Sequence, residues 1–584
     1  MSLKKLRAGL SRRGGEGVFA REWRGSIVLE GQAETWERWA ELGWFAAGFG
    51  YKGVVNDIKT TGLDGKTLGD ERLEPSVPAF DRPLEGLSFD VAIVGGGVVG
   101  AAIARELSKW SISVILLEKE HDVAVHSSSR NDGMIHDGFA AHPGTLKAKY
   151  NVRGNRAWEP LARDLGIAFA RPGSLIVFRS PASKALYPVM AARAAENGVD
   201  GWELWSRKRV LAEEPNITDE QHGGFFLPSA GILSPYRATV ALAESAAANG
   251  VRMALGTCVL GLDTEDARIT RVRTSRGDFA ARVVVNAAGN WADIVAGMAN
   301  DRFFSLHQRR GTDMILDRNT GALQNLILGM PSLLQVREKT KGGGLVKTIE
   351  GNILVGPTAR EAPGREDYAT SQAEIRELER HIRVNRKLSS SMAITYFAGV
   401  RPCTWEEDFV VERSDYVRNL VHAAGIQSPG LASAPAIAQD VARYAIEALS
   451  ESRPVEPNRR FELRLEPRPE LRSLSLEERA RIVAARPDYG RVVCRCEEVS
   501  EGEIRDAASG ALPATSLDAV KRRTRAGMGR CHGGFCTPRV MTILAQELGV
   551  ELCAITKKGP GSPIAARATK SVEKEDRDDP SGIA

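Results

Sequence analysis

Two close pairs of cysteines are the residues of this chain whose spacing is most suited to chemistry. Cys494 and Cys496 have one residue between them, and Cys531 and Cys536 have four. Thiolates select zinc, copper(I) or iron–sulfur clusters, and zinc ribbons prefer two or more residues between ligands. Glycines around the second pair would let backbone N–H groups approach the sulfurs, as in iron–sulfur sites. The pattern favours a 2Fe-2S cluster, with a zinc site or disulfides as the alternatives.

A second site for chemistry begins where an apolar strand pattern, from Phe89, runs into a glycine-rich turn and a helix. Gly95, Gly97 and Gly100 form G-x-G-x-x-G in the strand–turn–helix context that binds dinucleotides. Glu118 ends the next apolar run, 18 residues after Gly100. A carboxylate at this place accepts ribose hydroxyls and disfavours a 2′-phosphate. The motif by itself leaves NAD and FAD open.

Five further segments resemble those of FAD-dependent oxidoreductases of the D-amino-acid-oxidase superfamily, glycerol-3-phosphate and L-2-hydroxyglutarate dehydrogenases above all. They are residues 127–136, 233–244, 283–293, 397–402 and 425–431. The resemblance implies FAD rather than NAD, and an α/β fold with a Rossmann-like FAD-binding domain and an interleaved α+β substrate domain. Besides the three glycines and Glu118, the cofactor-binding residues that it implies are Ser128, Ser129, Asn131, Gly133, Ala288, Gly289, Trp291, Gly425, Ile426, Gln427, Ser428 and Gly430.

The same resemblance assigns three residues to the substrate. His136 falls in the segment that resembles the family's flavin-contacting loop. It is expected to accept the alcohol proton as a base, the alternative being that it only hydrogen-bonds the flavin or the backbone. Arg401 matches the arginine that holds a carboxylate or phosphate with two parallel bonds, the alternative being a structural ion pair. Tyr236 lines the site or belongs to the core. We therefore expect His136, Arg401 and Tyr236 to be the catalytic residues.

One departure from the family pattern bears on the substrate. Glycerol-3-phosphate dehydrogenases usually have a lysine in the loop at the flavin edge, and residues 425–430 of this chain contain none. The expected reaction is hydride transfer to FAD from a small anionic secondary alcohol. The missing lysine tilts the substrate toward a 2-hydroxy acid, with glycerol 3-phosphate close behind. An amino-acid or amine dehydrogenase and a redox-sensing regulatory flavoprotein are the competing classes.

The C-terminal region resembles the 2Fe-2S domain of the bacterioferritin-associated-ferredoxin type. Residues 522–531 and the spacing of Cys531 and Cys536 agree with that domain. The resemblance implies that electrons leave singly through the cluster to a flavoprotein, a ferredoxin-like carrier or a quinone-linked subunit, within an oligomer or hetero-complex. This favours a dehydrogenase over an oxidase. The basic run 521–525 is expected to be a solvated face, able to dock an acidic carrier.

Composition limits the remaining possibilities. The net charge of +5 is spread over a mixed surface, so nothing calls for nucleic acid. No uncharged apolar run reaches the ~18 residues that span a bilayer. Thiolates held for a cluster suit a reducing compartment. The expected location is the cytoplasm, with any membrane association made through a partner.

The composition also divides the chain into segments. Residues 26–58 resemble a BON-type module, strand–helix–strand, of a kind linked to membrane surfaces or protein contacts; a plain αβ appendage is the alternative. The expected segments are a loose basic tail (1–24), a small BON-like αβ module (25–62), a linker (63–88), the FAD-dependent oxidoreductase (89–455), a connector (456–486), the 2Fe-2S domain (487–560) and a disordered tail (561–584).

Overall fold

The computed structural model describes residues 3–61, 67–68, 71–329, 343–451 and 453–567. The chain forms two compact units, Met1–Pro467 and Arg468–Ala584. The boundary falls inside the predicted connector 456–486. Most of the predicted tail, residues 568–584, and part of the predicted linker 63–88 lie outside the described residues. No helix in the described ranges is both long enough and apolar enough to cross a membrane.

The first unit begins with a four-stranded sheet, in the order β1-β2-β3-β4, that carries two helices. β2 and β3 are parallel and joined by α2, which is the predicted strand–helix–strand pattern. The prediction of a loose tail over 1–24 is wrong, because α1 and β1 lie there. Leu6 and Leu10 are both 0% exposed, since they pack into the core of the sheet and α2. The elements are α1 (Leu3–Ser11), β1 (Phe19–Trp23), β2 (Ser26–Gln32), α2 (Trp36–Ala47), β3 (Val54–Thr61) and β4 (Thr67–Leu68).

The rest of the first unit alternates between two large sheets. Its elements are β5 (Ser88–Val94), α3 (Val98–Leu107), β6 (Val114–Leu117), β7 (Met134–Ile135), α4 (Leu146–Asp164), β8 (Phe169–Ala170), β9 (Ser174–Val177), α5 (Pro181–Lys184), α6 (Tyr187–Glu196), β10 (Glu203–Trp205), α7 (Arg207–Glu213), β11 (Gly224–Leu227), β12 (Gly231–Leu233), α8 (Pro235–Ala248), β13 (Arg252–Ala254), β14 (Val259–Glu265), β15 (Arg268–Thr274), β16 (Ala280–Asn286), α9 (Ala292–Met298), β17 (Leu306–Leu316), β18 (Ile327–Gly329), β19 (Gly344–Lys347), β20 (Ile353–Gly356), β21 (Arg360–Ala362), α10 (Gln372–His381), β22 (Ala393–Thr404), β23 (Val410–Arg413), β24 (Leu420–Ala424) and α11 (Gly430–Ser450).

The first large sheet is the predicted Rossmann-like one. Its order is β13-β6-β5-β16-β24-β23, parallel except for the edge pair β23–β24. Strands β5, β6, β16 and β24 are mostly apolar and mostly buried, as expected for a parallel sheet covered on both faces. Their C-terminal ends therefore lie together at one edge, where a nucleotide binds in this class of fold.

The second large sheet has nine strands in the order β10-β11-β9-β18-β19-β20-β17-β21, with β22 also paired to β17. Its strands come from between those of the first sheet, so the chain crosses repeatedly from one sheet to the other. This confirms the predicted interleaved substrate domain. β17 and β22 are the longest strands, and Gly311 stands opposite Gly399 in their register.

The second unit is small and largely helical. Its core is formed by residues such as Val493, Ile504, Val520 and Leu544. The expectation of a solvated basic face over 521–525 is partly wrong. Arg523 and Arg525 are 8% and 7% exposed, because Arg525 Nε donates to Glu497 at 2.7 Å and Arg523 donates to backbone carbonyls. The elements are α12 (Leu476–Ala485), β25 (Val492–Cys494), β26 (Val499–Ser500), α13 (Glu501–Ala507), α14 (Leu517–Thr524) and α15 (Thr537–Leu548).

Candidate functional site

The glycine-rich turn after β5 requires glycine at two of the predicted positions. Gly95 has φ +114°, and a Cβ there would lie 2.4 Å from the Ala287 carbonyl oxygen. A Cβ on Gly100 would lie 1.9 Å from the Gly95 carbonyl oxygen. The turn therefore packs against both its own helix and β16. Gly97 directly precedes the first residue of α3 and offers no capping side chain of its own.

Glu118 lies at the C-terminal end of β6, beside this turn. Its Oε2 accepts a hydrogen bond from the Gly96 N–H at 2.7 Å, and its Oε1 accepts one from the Glu120 N–H at 2.9 Å. Burial raises the pKa of the carboxyl. The two N–H groups hold the Glu118 carboxyl beside the glycine-rich turn, and its binding of a ribose stays a prediction.

A cleft that is partly open to solvent lies at the strand ends. Seven of the predicted cofactor residues line it: Gly95, Gly97, Glu118, Ser128, Ala288, Gly289 and Trp291. The structure thus brings together β5, β6, the Ser127–Ser129 turn and the segment after β16, which are far apart in the chain.

Three other predicted residues brace the flavin-contacting loop instead of lining this cleft. Ser129 Oγ donates to the Ala124 carbonyl. Asn131 Nδ2 donates to the carbonyls of Ser127 (3.0 Å) and Ser128 (3.2 Å), and Asn131 Oδ1 accepts from the Gly133 N–H. Gly133 has φ +71°, which favours glycine there. These contacts set the course of the loop, and Ser128 Oγ then accepts from the Val98 N–H at 2.9 Å, at the start of α3.

Glu366 also lines the cleft, and neither it nor its neighbours Arg365 and Tyr368 were predicted from the sequence. Arg365 is buried and donates to Asp293 Oδ1 at 2.8 Å. Glu366 accepts from Trp291 Nε1 at 2.9 Å and pairs with Lys119 Nζ at 2.8 Å. Tyr368 hydrogen-bonds His126. No periodicity or motif marks this segment, and only its contacts with the ends of β6 and β16 place it at the site.

The predicted flavin-edge loop, residues 425–430, lies between β24 and α11. Gly425 has φ +65°, and Gly430 is the first residue of α11. Gln427 is 5% exposed; its Nε2 donates to Glu407 Oε2 at 2.8 Å, and its Oε1 accepts from the Cys403 thiol at 3.0 Å. Ile426 and Ser428 are half-buried.

Two of the predicted substrate residues follow paired strands. His136 comes directly after β7, and Tyr236 lies in the first turn of α8, just after β12. β7 and β12 are antiparallel, with Ile135 opposite Gly231. The carbonyl of His136 accepts from Asn155 Nδ2 at 2.9 Å, which holds its backbone, and Tyr236 Oη lies 3.4 Å from Glu350 Oε1.

Arg401, the third, lies on β22. Both terminal nitrogens donate to the Thr358 carbonyl at 3.3 Å, and the guanidinium occupies the space over Gly311, where a Cβ would lie 2.4 Å from Nη2. The same strand contacts the flavin loop, because Ser127 Oγ donates to the Val400 carbonyl at 2.6 Å. Burial lowers the pKa of Arg401, and the nearby carboxyl of Asp313 opposes this shift. The hydrogen-bond partner described for Arg401 is the backbone carbonyl of Thr358.

The four predicted cluster cysteines converge in the second unit as two pairs. Cys496 Sγ and Cys531 Sγ are 3.6 Å apart, and the thiols of Cys494 and Cys536 share a hydrogen bond. A 2Fe-2S cluster takes four cysteines, and two pairs suit its two irons. Within the described residues, no group of three or more His, Cys, Asp or Glu side chains is placed closely enough to hold a metal ion as it stands.

Backbone N–H groups surround these sulfurs. The hydrogen bond with Cys536 and the N–H groups of Gly527 and Glu497 lower the pKa of Cys494, and the N–H groups of Gly533 and Phe535 favour the thiolate of Cys531 in the same way. Gly527 and Gly533 have φ of +92° and +84°, so the loop needs glycine to aim its N–H groups. A Cβ on Gly529 would lie 2.3 Å from Cys496 Cβ. The donor set fits an iron–sulfur cluster, whose potential such hydrogen bonds tune.

Comparisons with known proteins agree with both sites. The family model "FAD dependent oxidoreductase" matches residues 90–444, and the model "BFD-like [2Fe-2S] binding domain" matches residues 492–546. A glycerol 3-phosphate dehydrogenase of Caloramator mitchellensis is 38% identical over 83% of this chain and 99% of its own length. One of the polypeptides of the anaerobic glycerol-3-phosphate dehydrogenase of Escherichia coli K12 is 27% identical over 78% of this chain and 88% of its own.

A solved structure is similar as well. The dithionite-reduced, FAD-bound L-alpha-glycerophosphate oxidase of Mycoplasma pneumoniae superposes with a TM-score of 0.60 at 28% identity, over 65% of this chain and 99% of its own. The choice between NAD and FAD is thereby resolved in favour of FAD. The chain belongs to the FAD-dependent oxidoreductase family and carries a C-terminal BFD-like 2Fe-2S domain.

Proposed function

We propose that this enzyme oxidises glycerol 3-phosphate, passing the electrons from FAD through the 2Fe-2S cluster to a partner carrier. The observation that carries the proposal is the combination of a cluster domain with 38% identity to a glycerol 3-phosphate dehydrogenase over almost all of that relative. The half-buried guanidinium of Arg401, held over Gly311 on the strand that contacts residue Ser127, would supply the cation that an anionic substrate needs.

A 2-hydroxy acid is the second candidate. The loop 425–430 lacks the lysine expected for phosphate, and an arginine binds a carboxylate as well as a phosphate. An L-2-hydroxyglutarate dehydrogenase of Escherichia coli K12 is 30% identical, over 48% of this chain. The two candidate substrates share a secondary alcohol and differ in the anionic group, a phosphate in one and a carboxylate in the other.

The proposed roles of this chain's residues follow from chemistry at a carbinol carbon. FAD, when bound, supplies the hydride acceptor. His136 would accept the hydroxyl proton, and Arg401 would hold the anionic group so that the C–H bond is fixed in orientation. Tyr236 would complete the wall next to His136. Glu118 and the turn Gly95–Gly100 would hold the ribose and pyrophosphate, and Gln427 would border the far edge of the ring.

Anaerobic bleaching of the flavin tests the substrate. The purified enzyme is mixed with glycerol 3-phosphate, with a panel of 2-hydroxy acids and with amino acids, and the flavin absorbance is followed. Glycerol 3-phosphate should bleach the flavin fastest. Faster bleaching by a 2-hydroxy acid would select the second candidate. An amino acid that outpaces every alcohol would overturn the alcohol proposal, and no bleaching by any of them would favour a redox sensor.

We also propose that the electron acceptor is a protein that docks beside the cluster. Phe535 is 85% exposed and precedes Cys536, and the exposed Arg495 stands between Cys494 and Cys496. An apolar contact with a cationic neighbour suits a carrier with an acidic surface. Such a complex would be cytoplasmic, since cluster thiolates suit a reducing compartment. Cell fractionation with co-purification of the acceptor would test both statements.

A further inference from the structure

The N-terminal module, residues 3–61, is packed onto the oxidoreductase domain through aromatic rings. Trp405, in the turn after β22, is 1% exposed, and its ring lies 5.1 Å from that of Trp39 and 5.6 Å from that of Trp44. A Cβ on Gly43 would lie 2.5 Å from Trp405 Cη2, so α2 is in direct contact with the turn. Neither family match covers this module.

From Trp44 the contacts continue into a buried group of charges. The ring of Trp44 lies 4.7 Å from that of His307 and 5.7 Å from the Arg309 guanidinium. Arg309 is 7% exposed and donates to Glu361 at 3.1 Å and to Glu407. Burial favours the protonated form of Glu407, but Arg309 and Lys147 outweigh it and lower its pKa to about 2. Glu407 is therefore a carboxylate whose position depends on Arg309.

Glu407 in turn holds Gln427 of the flavin-edge loop. Its Oε2 accepts from Gln427 Nε2 at 2.8 Å. The loop also packs on the same turn through Gly425, where a Cβ would lie 2.7 Å from Thr404 Cγ2. The turn 403–408 thus has the N-terminal module on one side and the loop 425–430 on the other.

We propose that the N-terminal module is a positioning element of the flavin site, acting through Trp44, Arg309 and Glu407 on Gln427. The inference rests on the proposed place of the loop 425–430 at the flavin edge. The planar guanidinium of Arg309 donates hydrogen bonds in fixed directions. The Trp44 ring that packs beside this guanidinium therefore helps to set where the Glu407 carboxylate lies. A module that served only to dock a membrane or a protein would leave the flavin unaffected when Trp44 is changed.

The test uses the full-length holoenzyme with Trp44→Ala and Trp44→Phe. We expect Trp44→Ala to change the visible flavin spectrum and to lower the rate constant of flavin reduction by glycerol 3-phosphate roughly 10-fold, since small misplacements in a site are costly. Trp44→Phe, which keeps an aromatic ring, should retain most of the wild-type flavin spectrum and most of the wild-type rate constant of flavin reduction. The matched control is Lys52→Met, which removes ion pairs of 2.8 Å to Glu412 and Asp415 from the same module and should alter neither readout.

A double-mutant cycle with Gln427→Ala separates positioning from general destabilisation. In a positioning chain, adding Trp44→Ala to Gln427→Ala should have little further effect, because the group that Trp44 acts on is already gone. If Trp44→Ala fails to fold, Glu407→Gln replaces it, with the same spectral change expected. Additive effects, or an unchanged spectrum in both variants, would overturn the inference. A wild-type protein without bound FAD would instead refute the proposed function itself.

Discussion

The four cluster cysteines lie within residues 494–536, whereas the cleft for FAD is lined by residues between Leu73 and Glu366. The first site depends on local turns, with glycines that aim N–H groups at neighbouring sulfurs. The second depends on the packing of strands that are far apart in the chain. The comparison predicts that the cluster can be lost without disturbing the FAD, and that damage to the substrate side leaves the cluster intact.

The largest expected effect is at the cluster. Cys496→Ser should abolish iron binding while FAD remains bound, since the residue lies in the second unit and contacts Cys531. Iron content and the flavin spectrum of anaerobically purified protein measure the two cofactors separately. Cys553→Ser is the matched control, because Cys553 lies outside both pairs and this variant should keep its iron. Zinc in place of iron in the wild-type protein would refute the cluster.

The next effect is at the proposed base. His136→Ala should slow flavin reduction by ~10²–10⁴-fold, the usual range for loss of a general base. The loss should shrink at high pH, where the alcohol proton leaves more easily. Stopped-flow reduction across a pH series measures this. His142→Ala, at an exposed position of the same region, should behave as wild type. Normal reduction by His136→Ala would remove the base assignment and leave the substrate class untouched.

A smaller loss of activity is expected when Arg401, the residue proposed to bind the substrate's anionic group, is changed. Arg401→Lys keeps the charge but not the planar pair of donors. The transition state should therefore lose about 2–4 kcal/mol of binding free energy, which is measured as a fall in kcat/KM. The flavin spectrum and the iron content should stay unchanged. Arg360→Lys, on an exposed pair with Glu377, is the control. Unaltered steady-state kinetics of Arg401→Lys would show that another cation holds the anion.

The smallest effect is expected at the exit from the cluster. Phe535→Ala should leave flavin reduction and iron content unaltered and slow electron delivery to the acceptor roughly 5- to 30-fold, as for loss of an interface anchor of ~1–2 kcal/mol. Leu476→Ala is the control, since it is 82% exposed in the same unit. Equal rates to the acceptor for both variants would place the docking surface elsewhere.

Much of both sites could be predicted from local sequence, and what could not be predicted depends on contacts between distant segments. Cofactor binding by Ser129, Asn131 and Gly133 stays a prediction, and their described contacts brace the loop. The segment 365–368, with Arg365 and Glu366, gave no signal at all. Whether a polar side chain lines a cleft or braces its wall depends on the partner that another segment brings, which spacing along the chain does not contain.

The sequence by itself indicated a dinucleotide site and a thiolate site, because their evidence is short-range: Gly95, Gly97, Gly100 and Glu118 on one strand–turn–helix–strand unit, and four cysteines on two tight loops. The resemblance to known families added FAD and the interleaved fold. Tertiary structure decided what is buried. Residues 3–24 fold onto α2 because Leu6 and Leu10 find a core there, and Arg525 is covered because Glu497 neutralises it. Burial depends on contacts between distant segments. The local sequence of a basic run therefore does not show whether the folded chain will cover it.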